Sequence, residues 1–237
     1  MSDLIPVVIA AHNEELYIAR TLARLDADQV EPYVVVNASS DHTATIARQG
    51  GARVFEIETP GKMNAVQFGL GQLGARALGP VIYTDADTYP VFPGQWPKAM
   101  VERLSPEHRV ISGLYIASKE PVKHISRQDR LLTSALRVAN VIDKLITHTP
   151  HVSGANMSTL ILDEETLEKV MSLEGTWPGQ DEALAKAIDP DPAHRLIRID
   201  PRAAVATSSR YLDNPKDLIR MGKTGARLRA RAERASR

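Results

Sequence analysis

Apolar runs and polar clusters alternate along the first third of the chain at the spacing of one strand and one helix. Residues 4–11 are almost continuously apolar, the pattern of a strand buried on both faces, and they stop at His12-Asn13-Glu14-Glu15. Asn13 stands where it can cap a following helix, with Leu16, Ile18, Ala19 and Leu22 on the apolar side and Glu14 and Glu15 in the first turn. Residues 33–36 repeat the strand pattern ahead of Asn37-Ala38-Ser39-Ser40-Asp41, and residues 43–49 read as a helix. A third strand over 52–57 leads through Thr59-Pro60-Gly61-Lys62 into a helix over 63–73. A short buried strand at 81–83 then runs directly into Asp85-Ala86-Asp87-Thr88. This order predicts an α/β fold, an open and mainly parallel sheet with helices on both faces and ligands at the carboxyl ends of its strands. All the polar clusters named so far fall at those ends.

Beyond about residue 89 the texture becomes α+β. A helix is expected over 94–104, a strand over 110–117, and a long amphipathic helix over 127–146 with Leu131, Ala135, Val138, Val141, Ile142 and Leu145 on one side. Residues 148–156 read as a loop before a strand at 159–162, followed by a helix over 164–171. A loop at 175–179 delivers Gln180-Asp181-Glu182 to the start of a helix that runs to 188, where Asp189-Pro190-Asp191-Pro192 ends it. Short strands are expected at 195–199 and 203–206. No flexible linker separates the halves, so residues 1–215 read as one composite domain and 216–237 as a basic helical extension or tail.

Composition narrows this only a little. The chain has 237 residues, 43% hydrophobic and 24% charged, which suits one folded core and excludes general disorder. Basic and acidic residues balance at 29 each, so no whole-molecule field draws the protein to nucleic acid or acidic lipid. The balance is uneven locally: from 216 to 237 there are eight Lys and Arg against two acids, a surplus of six that could contact an anionic partner. With no cysteine, disulfides, thiolate nucleophiles and cysteine-ligated metals are excluded. The amino terminus lacks a basic region followed by an apolar stretch, and no window approaches a membrane span, so a cytoplasmic location is expected.

Four positions carry candidate chemistry. Asp85-Ala86-Asp87 places two carboxylates two residues apart just beyond an apolar strand. If strand geometry persisted they would point the same way, toward a hard cation such as Mg²⁺ or Mn²⁺. Gly61-Lys62 opens a helix, where backbone N–H groups and an ammonium can hold phosphate. The P-loop spacing is absent and no Gly-x-Gly-x-x-Gly fingerprint follows the first strand, which disfavours ATPases and classical dinucleotide enzymes. Asp181 stands at a helix start, a placement that suits a general base, with Glu182 as its neighbouring competitor. His148 and His151 have loop spacing compatible with a metal, but loop or packing roles are the simpler reading.

Together these positions resemble glycosyltransferase family 2 of the GT-A nucleotide-sugar fold. Residues Val7-Val8-Ile9-Ala10-Ala11-His12-Asn13-Glu14-Glu15 are similar to the family's apolar strand ending in Pro-Ala-Tyr-Asn-Glu-Glu. Ala10 replaces proline and His12 replaces tyrosine. Residues Val36-Asn37-Ala38-Ser39-Ser40-Asp41-His42-Thr43 resemble Asp-Asn-Ala-Ser-Thr-Asp-Gly-Thr, with Val36 at the first carboxylate and His42 at the glycine. Gly61-Lys62 resembles the family's Gly-Lys segment and Asp85-Ala86-Asp87 its Asp-x-Asp motif. Gly154-Ala155-Asn156-Met157 resembles a Gly-Ala-Asn-Met strand entrance, and Gln180-Asp181 its Glu-Asp pair, with glutamine for the first acid. Thr207-Ser208-Ser209-Arg210 is similar to a Thr-Ser-Ala-Arg segment of some members.

The resemblance, over about residues 4–212, implies a GT-A fold with an acceptor-side α+β half. It also implies a hexosyltransferase that moves a sugar from a nucleotide diphosphate, with UDP the expected carrier, to an acceptor hydroxyl with inversion, assisted by Mn²⁺ or Mg²⁺. On it, Asp181 is the catalytic base. Ala11, Glu14, Asn37, Lys62, Asp85, Ala86, Asp87 and Arg210 lie on the nucleotide-sugar side; Gly154, Asn156, Trp177 and Gln180 on the sugar or acceptor side; and Asp87, with Asp85 beside it, holds the metal. The acceptor is left open among a glycan, a lipid intermediate, a small metabolite and modified DNA. Retention at the anomeric carbon stays open as an alternative, as does a sugar-nucleotide-binding protein without catalysis, suggested by Val36 and Gln180. The Gln-x-x-Arg-Trp pattern of processive members is absent.

Overall fold

The computed structural model describes residues 4–118, 153–174, 179–191, 195–198 and 200–208. The expected helix over 127–146, His148, His151, Trp177, Arg210 and the 216–237 extension lie outside the described residues. In the first half the strands are β1 (Ile5–Ala11), β2 (Val30–Asn37), β3 (Arg53–Ile57) and β4 (Pro80–Asp85), joined through α1 (Ile18–Ala23), α2 (Thr43–Gln49) and α3 (Lys62–Leu73). The second half contributes β5 (Thr88–Pro90), α4 (Trp96–Val101), β6 (Val110–Gly113), β7 (Tyr115–Ser118), β8 (Asn156–Leu160), α5 (Glu164–Met171), α6 (Gln180–Ile188), β9 (Arg195–Arg198) and β10 (Val205–Ser208).

Seven strands form one sheet in the order β3-β2-β1-β4-β8-β6-β9. β3, β2, β1 and β4 are parallel, β8 runs antiparallel between β4 and β6, and β9 is parallel to β6. The sheet thus continues through both halves of the chain. A smaller sheet, β5-β10-β7, stands beyond the end of β4. From β1 the chain moves outward to β2 and β3, then returns on the other side of β1 as β4. This reversal opens a crevice at the carboxyl ends of β1 and β4, where ligands of such sheets bind.

Alternation along the strands builds two cores. Val7, Ile9, Ala11, Val34, Val36 and Ile82 point to one face, beneath α1, α2 and α4, with Trp96 fully buried among them. Val8, Tyr33, Val81 and Tyr83 point to the other, against Met63, Val66 and Leu70 of α3 and Leu184 and Ile188 of α6. Burial on both faces is why these strands read as continuous apolar runs. Val36, which replaces the family's first carboxylate, is itself part of the first core.

Two expectations are corrected. Asn13 does not cap a helix: α1 begins only at Ile18, and its first turn is closed by the Glu14 carbonyl, which accepts from the N–H groups of Tyr17 and Ile18. Leu16, expected on the apolar side, is 82% exposed. The single strand over 110–117 is two strands in different sheets. The chain breaks at Gly113 and Leu114, where the Leu114 carbonyl accepts from the Asn156 side chain and the Val205 N–H. Gly113 is required there, because a Cβ would overlap the Asn156 amide and the Ala203 carbonyl. A local apolar pattern cannot report such a change of sheet.

Candidate active site

The loops after β1 and β2 lock together. Asn13 (φ 53°) and Ala38 (φ 48°) both take the left-handed conformation that non-glycine residues seldom adopt. Asn13 Oδ1 accepts from the Ser40 N–H at 2.9 Å, and its own N–H donates to Ser39 Oγ at 3.0 Å. The Glu14 N–H donates to Thr43 Oγ1 at 2.7 Å and the Glu15 N–H to Asp41 Oδ2 at 3.1 Å. Burial raises the Asp41 carboxyl's pKa, but the hydrogen bonds from Thr43 and Glu15 outweigh it and hold that pKa below the ordinary value. This lacework fixes Asn37, which is 3% exposed. Asn37 Nδ2 donates to the Gly61 carbonyl at 3.0 Å, which orients the amide, since a carbonyl can only accept. Asn37 Oδ1 is left buried without a hydrogen-bond partner among the described residues. His12 Nδ1–H donates to the Asn37 carbonyl at 2.7 Å.

The acidic triplet stands at the crevice. Asp85 is the last residue of β4, in register with Ala10 of β1, so strand geometry does not persist to Asp87 and the expected parallel presentation gives way to a turn. Ala86 is buried in the first core, and its carbonyl accepts from the buried Thr21 hydroxyl of α1 at 2.7 Å. Arg20 lies over the Tyr89 ring at 4.2 Å, and Arg24 Nη2 donates to the carbonyls of Pro90 and Val91 at 3.2 and 2.9 Å. α1 and the residue that ends it therefore support the turn and the short strand after it. Asp87 is half-buried beyond it, its carbonyl receiving the Ser208 N–H of β10.

Lys62 joins the triplet to the second half. Its Nζ stands 2.5 Å from Asp85 Oδ1 and 3.4 Å from Asp181 Oδ1, with 21% of its side chain exposed. Burial alone lowers an ammonium's pKa. Here the carboxylates of Asp181 and Asp85 outweigh it and hold the Lys62 pKa well above its usual value. Gly154 lies against this pair: a Cβ there would overlap the Asp181 carboxylate and come within 2.8 Å of Lys62 Nζ. Four segments, α3, β4, the turn before β8 and α6, thus meet at one ammonium.

Asp181 and Glu182 are separated by their partners. Glu182 pairs with Arg195 at the start of β9, whose side chain is 2% exposed, while Asp181 faces Lys62. Asn156 and Gln180 are buried rather than lining an opening. The Asn156 amide is fully engaged: Oδ1 accepts from Trp96 Nε1 at 3.0 Å, and Nδ2 donates to the carbonyls of Leu114 and Ala203. It ties the second half to α4. Thr21 and Arg195 were not legible as site supports, because a lone threonine in a helix and a lone arginine in a strand carry no local signal.

Among the described residues no group of three or more His, Asp or Glu could hold a metal by itself. The residues nevertheless fit Mn²⁺ or Mg²⁺ arriving with a diphosphate, since such ions take one or two carboxylates and complete their shell with phosphate oxygens and water. Asp87 and Asp85 supply oxygen donors of that kind. Among the described residues no helix is long and apolar enough to cross a membrane.

A family model described as Glycosyl transferase family 2 matches residues 7–160, more than half of the chain. A dolichyl-phosphate hexose transferase of Haloferax volcanii is 35% identical over 118 residues, covering 47% of this chain and 47% of that protein. The chain therefore matches about half the length of that relative. Among solved structures, the mannosyltransferase PcManGT from Pyrobaculum calidifontis, in complex with GDP-Man and Mn²⁺, superposes with a TM-score of 0.59 at 21% identity, over 85% of this chain and 56% of that one. Glucosyl-3-phosphoglycerate synthase of Mycobacterium tuberculosis, in complex with Mn²⁺, UDP and glucosyl-3-phosphoglycerate, gives 0.54 at 20%, over 87% and 71%. At these identities the likeness speaks for the GT-A fold.

Proposed function

The chain belongs to glycosyl transferase family 2, and from that membership we propose that it transfers a hexosyl group from a UDP-linked donor to an acceptor hydroxyl with inversion at the anomeric carbon. The observation that carries the reading is the meeting of Asp85, Lys62 and Asp181 at the carboxyl ends of β1 and β4. Asn37 Oδ1, buried and aligned by Gly61, would accept an N–H of the base. The Lys62 ammonium suits a diphosphate oxygen. Mn²⁺ or Mg²⁺ at Asp87, with Asp85 beside it, would supply the charge that neutralises the departing diphosphate.

Asp181 acts as general base. It takes the acceptor hydroxyl's proton as that oxygen forms its bond to the anomeric carbon, and the bond to the phosphate oxygen breaks with its electron pair leaving on the diphosphate. In-line attack from the base side gives inversion. The acceptor hydroxyl belongs to a glycan, a lipid intermediate, a small metabolite or modified DNA, and the location expected of the protein is the cytoplasm.

The test is a panel of labelled UDP- and GDP-sugars with MnCl₂ and cell extract, read by mass spectrometry, with the product anomer determined by NMR. A β-linked product from an α-linked UDP donor supports the reading. Retention of configuration overturns the base mechanism, transfer from GDP-sugars alone overturns UDP, and binding without transfer or hydrolysis overturns catalysis. Calorimetry on Asp87→Ala isolates the cation site: metal-dependent UDP binding should weaken at least about tenfold, in line with losses at metal sites. Undiminished metal-dependent affinity would reject Asp87 as the ligand.

A further inference from the structure

We infer that Arg195, acting through Glu182, is a positioning residue that sets the rotation of α6 and thereby decides which of its two adjacent carboxylates faces the site. The inference rests on the assignment of Asp181 as base. Successive residues of a helix point about 100° apart, so the rotation of α6 about its axis decides which of the two acids faces Lys62. The resemblance singles out Asp181, but the side-chain chemistry of Asp181 and Glu182 does not say what turns one of them toward Lys62. Arg195 does: its Nη1 pairs with Glu182 Oε1, and its Nε and Nη2 donate to the Asp189 carbonyl at 3.3 and 3.0 Å.

One guanidinium therefore grips α6 at its first turn and at its last. Asp189, fully buried where the helix ends, is held a second time by Arg109 Nε at 3.0 Å from its Oδ2. The two arginines come from adjacent strands at one side of the large sheet, the edge strand β9 and its neighbour β6. Arg109 precedes β6, and Arg195 opens β9 in register with Val110. The buried Leu184 and Ile188 set which side of α6 faces the core, and a planar fork fixed on a strand and engaged at three points holds its first turn in the rotation that brings Asp181 to 3.4 Å from Lys62. The pair is also directional: the arginine is buried, whereas the Glu182 side chain keeps 31% of its surface exposed, so the arginine is the anchor and the glutamate the arm.

The experiment uses the full-length protein as Glu182→Ala and Arg195→Met, with Asp181→Asn beside them. Should Arg195→Met fail to fold, Glu182→Ala breaks the same contact and leaves the arginine its Asp189 carbonyl. In crystal structures the Lys62 Nζ to Asp181 Oδ1 separation should lengthen beyond 3.4 Å as α6 turns. Turnover, read as nucleoside diphosphate release from UDP-glucose or GDP-mannose with MnCl₂, should fall in kcat roughly 10- to 10²-fold, the scale of an ångström-sized misplacement, with donor KM within about twofold. Arg195→Met added to Glu182→Ala should change kcat no further. An unmoved Asp181 carboxylate in the crystal structures, or lowered thermal stability with parental kcat, overturns the positioning role. Parental turnover in Asp181→Asn instead overturns the base assignment, which the Glu182 and Arg195 variants cannot imitate.

Discussion

The site contains two pairs of close carboxylates, and the protein presents them in opposite ways. Asp85 and Asp87 leave the end of a strand, and the residue between them is pinned: Ala86 is buried with its carbonyl held by the Thr21 hydroxyl, and the turn beyond rests on Arg20 and Arg24. Asp181 and Glu182 open a helix and are sorted by charge, one to Lys62 and one to Arg195. A strand end must be braced along its backbone because it has no ladder of its own to continue. A helix start continues into its own hydrogen-bond ladder, and the two acids it carries are sorted by the partners they meet. Lys62 is where the two arrangements touch.

The largest effect that tests this contrast is chemical. Asp181→Asn keeps the size of the side chain but removes its capacity as a base, so kcat should fall roughly 10²-fold or more while donor affinity stays within severalfold. Stopped or initial-rate turnover beside UDP calorimetry separates the two. Near-parental turnover would leave the helix-start pair with a binding role and erase the contrast.

Next comes the joint itself. Gly154→Ala places a methyl group on the Asp181 carboxylate and against Lys62, so that one or both side chains must shift. Stability should fall by no more than about 1–3 kcal/mol, the cost of overpacking, because side-chain ends can move aside, whereas kcat should fall because the shift separates Asp181 from the ammonium it shares with Asp85. Thermal unfolding and kinetics on the same preparation would show it. A variant as stable and as fast as the parent would mean that the four segments do not meet as described.

A smaller change should affect the strand-end pair alone. Thr21→Val keeps the shape of the side chain and leaves the Ala86 carbonyl without its partner, a loss of about 1 kcal/mol. Tm should drop by about 2–4 °C for a chain of this size. Metal-dependent UDP affinity should weaken while the Lys62 to Asp181 contact stays in place. An equal disturbance of Asp181 would show that the two pairs are supported jointly.

The smallest effect lies in the first two loops and depends on pH. The folded Asp41 carboxyl has a lowered pKa, so its contribution to stability is complete above the unfolded value of about 3.9 and is lost as pH falls through the folded value. Asp41→Asn should lower stability at neutral pH and flatten the acid limb of a stability profile below about pH 4. Parallel limbs in the two proteins would remove Asp41 from the loop lock. Lys62 has the opposite sign: its raised pKa contributes below the unfolded value of about 10.4 and is lost only as pH rises through its folded value.

The sequence by itself determined the first half of the fold and the family. Strands buried on both faces must be apolar throughout, and their ends must turn polar, so β1 to β4 and the clusters at Asn37, Lys62 and Asp85 to Asp87 are written locally. The helices at Thr43–Gln49 and Gln180–Ile188 were likewise legible from their periodicity and their breakers. Tertiary structure alone decided three things. It moved Asn13 from a helix cap to a brace on Ser40, and it broke the 110–117 run between two sheets. It also assigned Asp181 rather than Glu182 to the ammonium of Lys62. The reason is common to all three: each depends on a partner brought close by the fold rather than by the chain, Ser40 from the next loop, Ala203 and Asn156 against Gly113, and Arg195 from the sheet edge. Hydrophobic periodicity records which face of an element is buried, but it does not record what the other side of that contact will be.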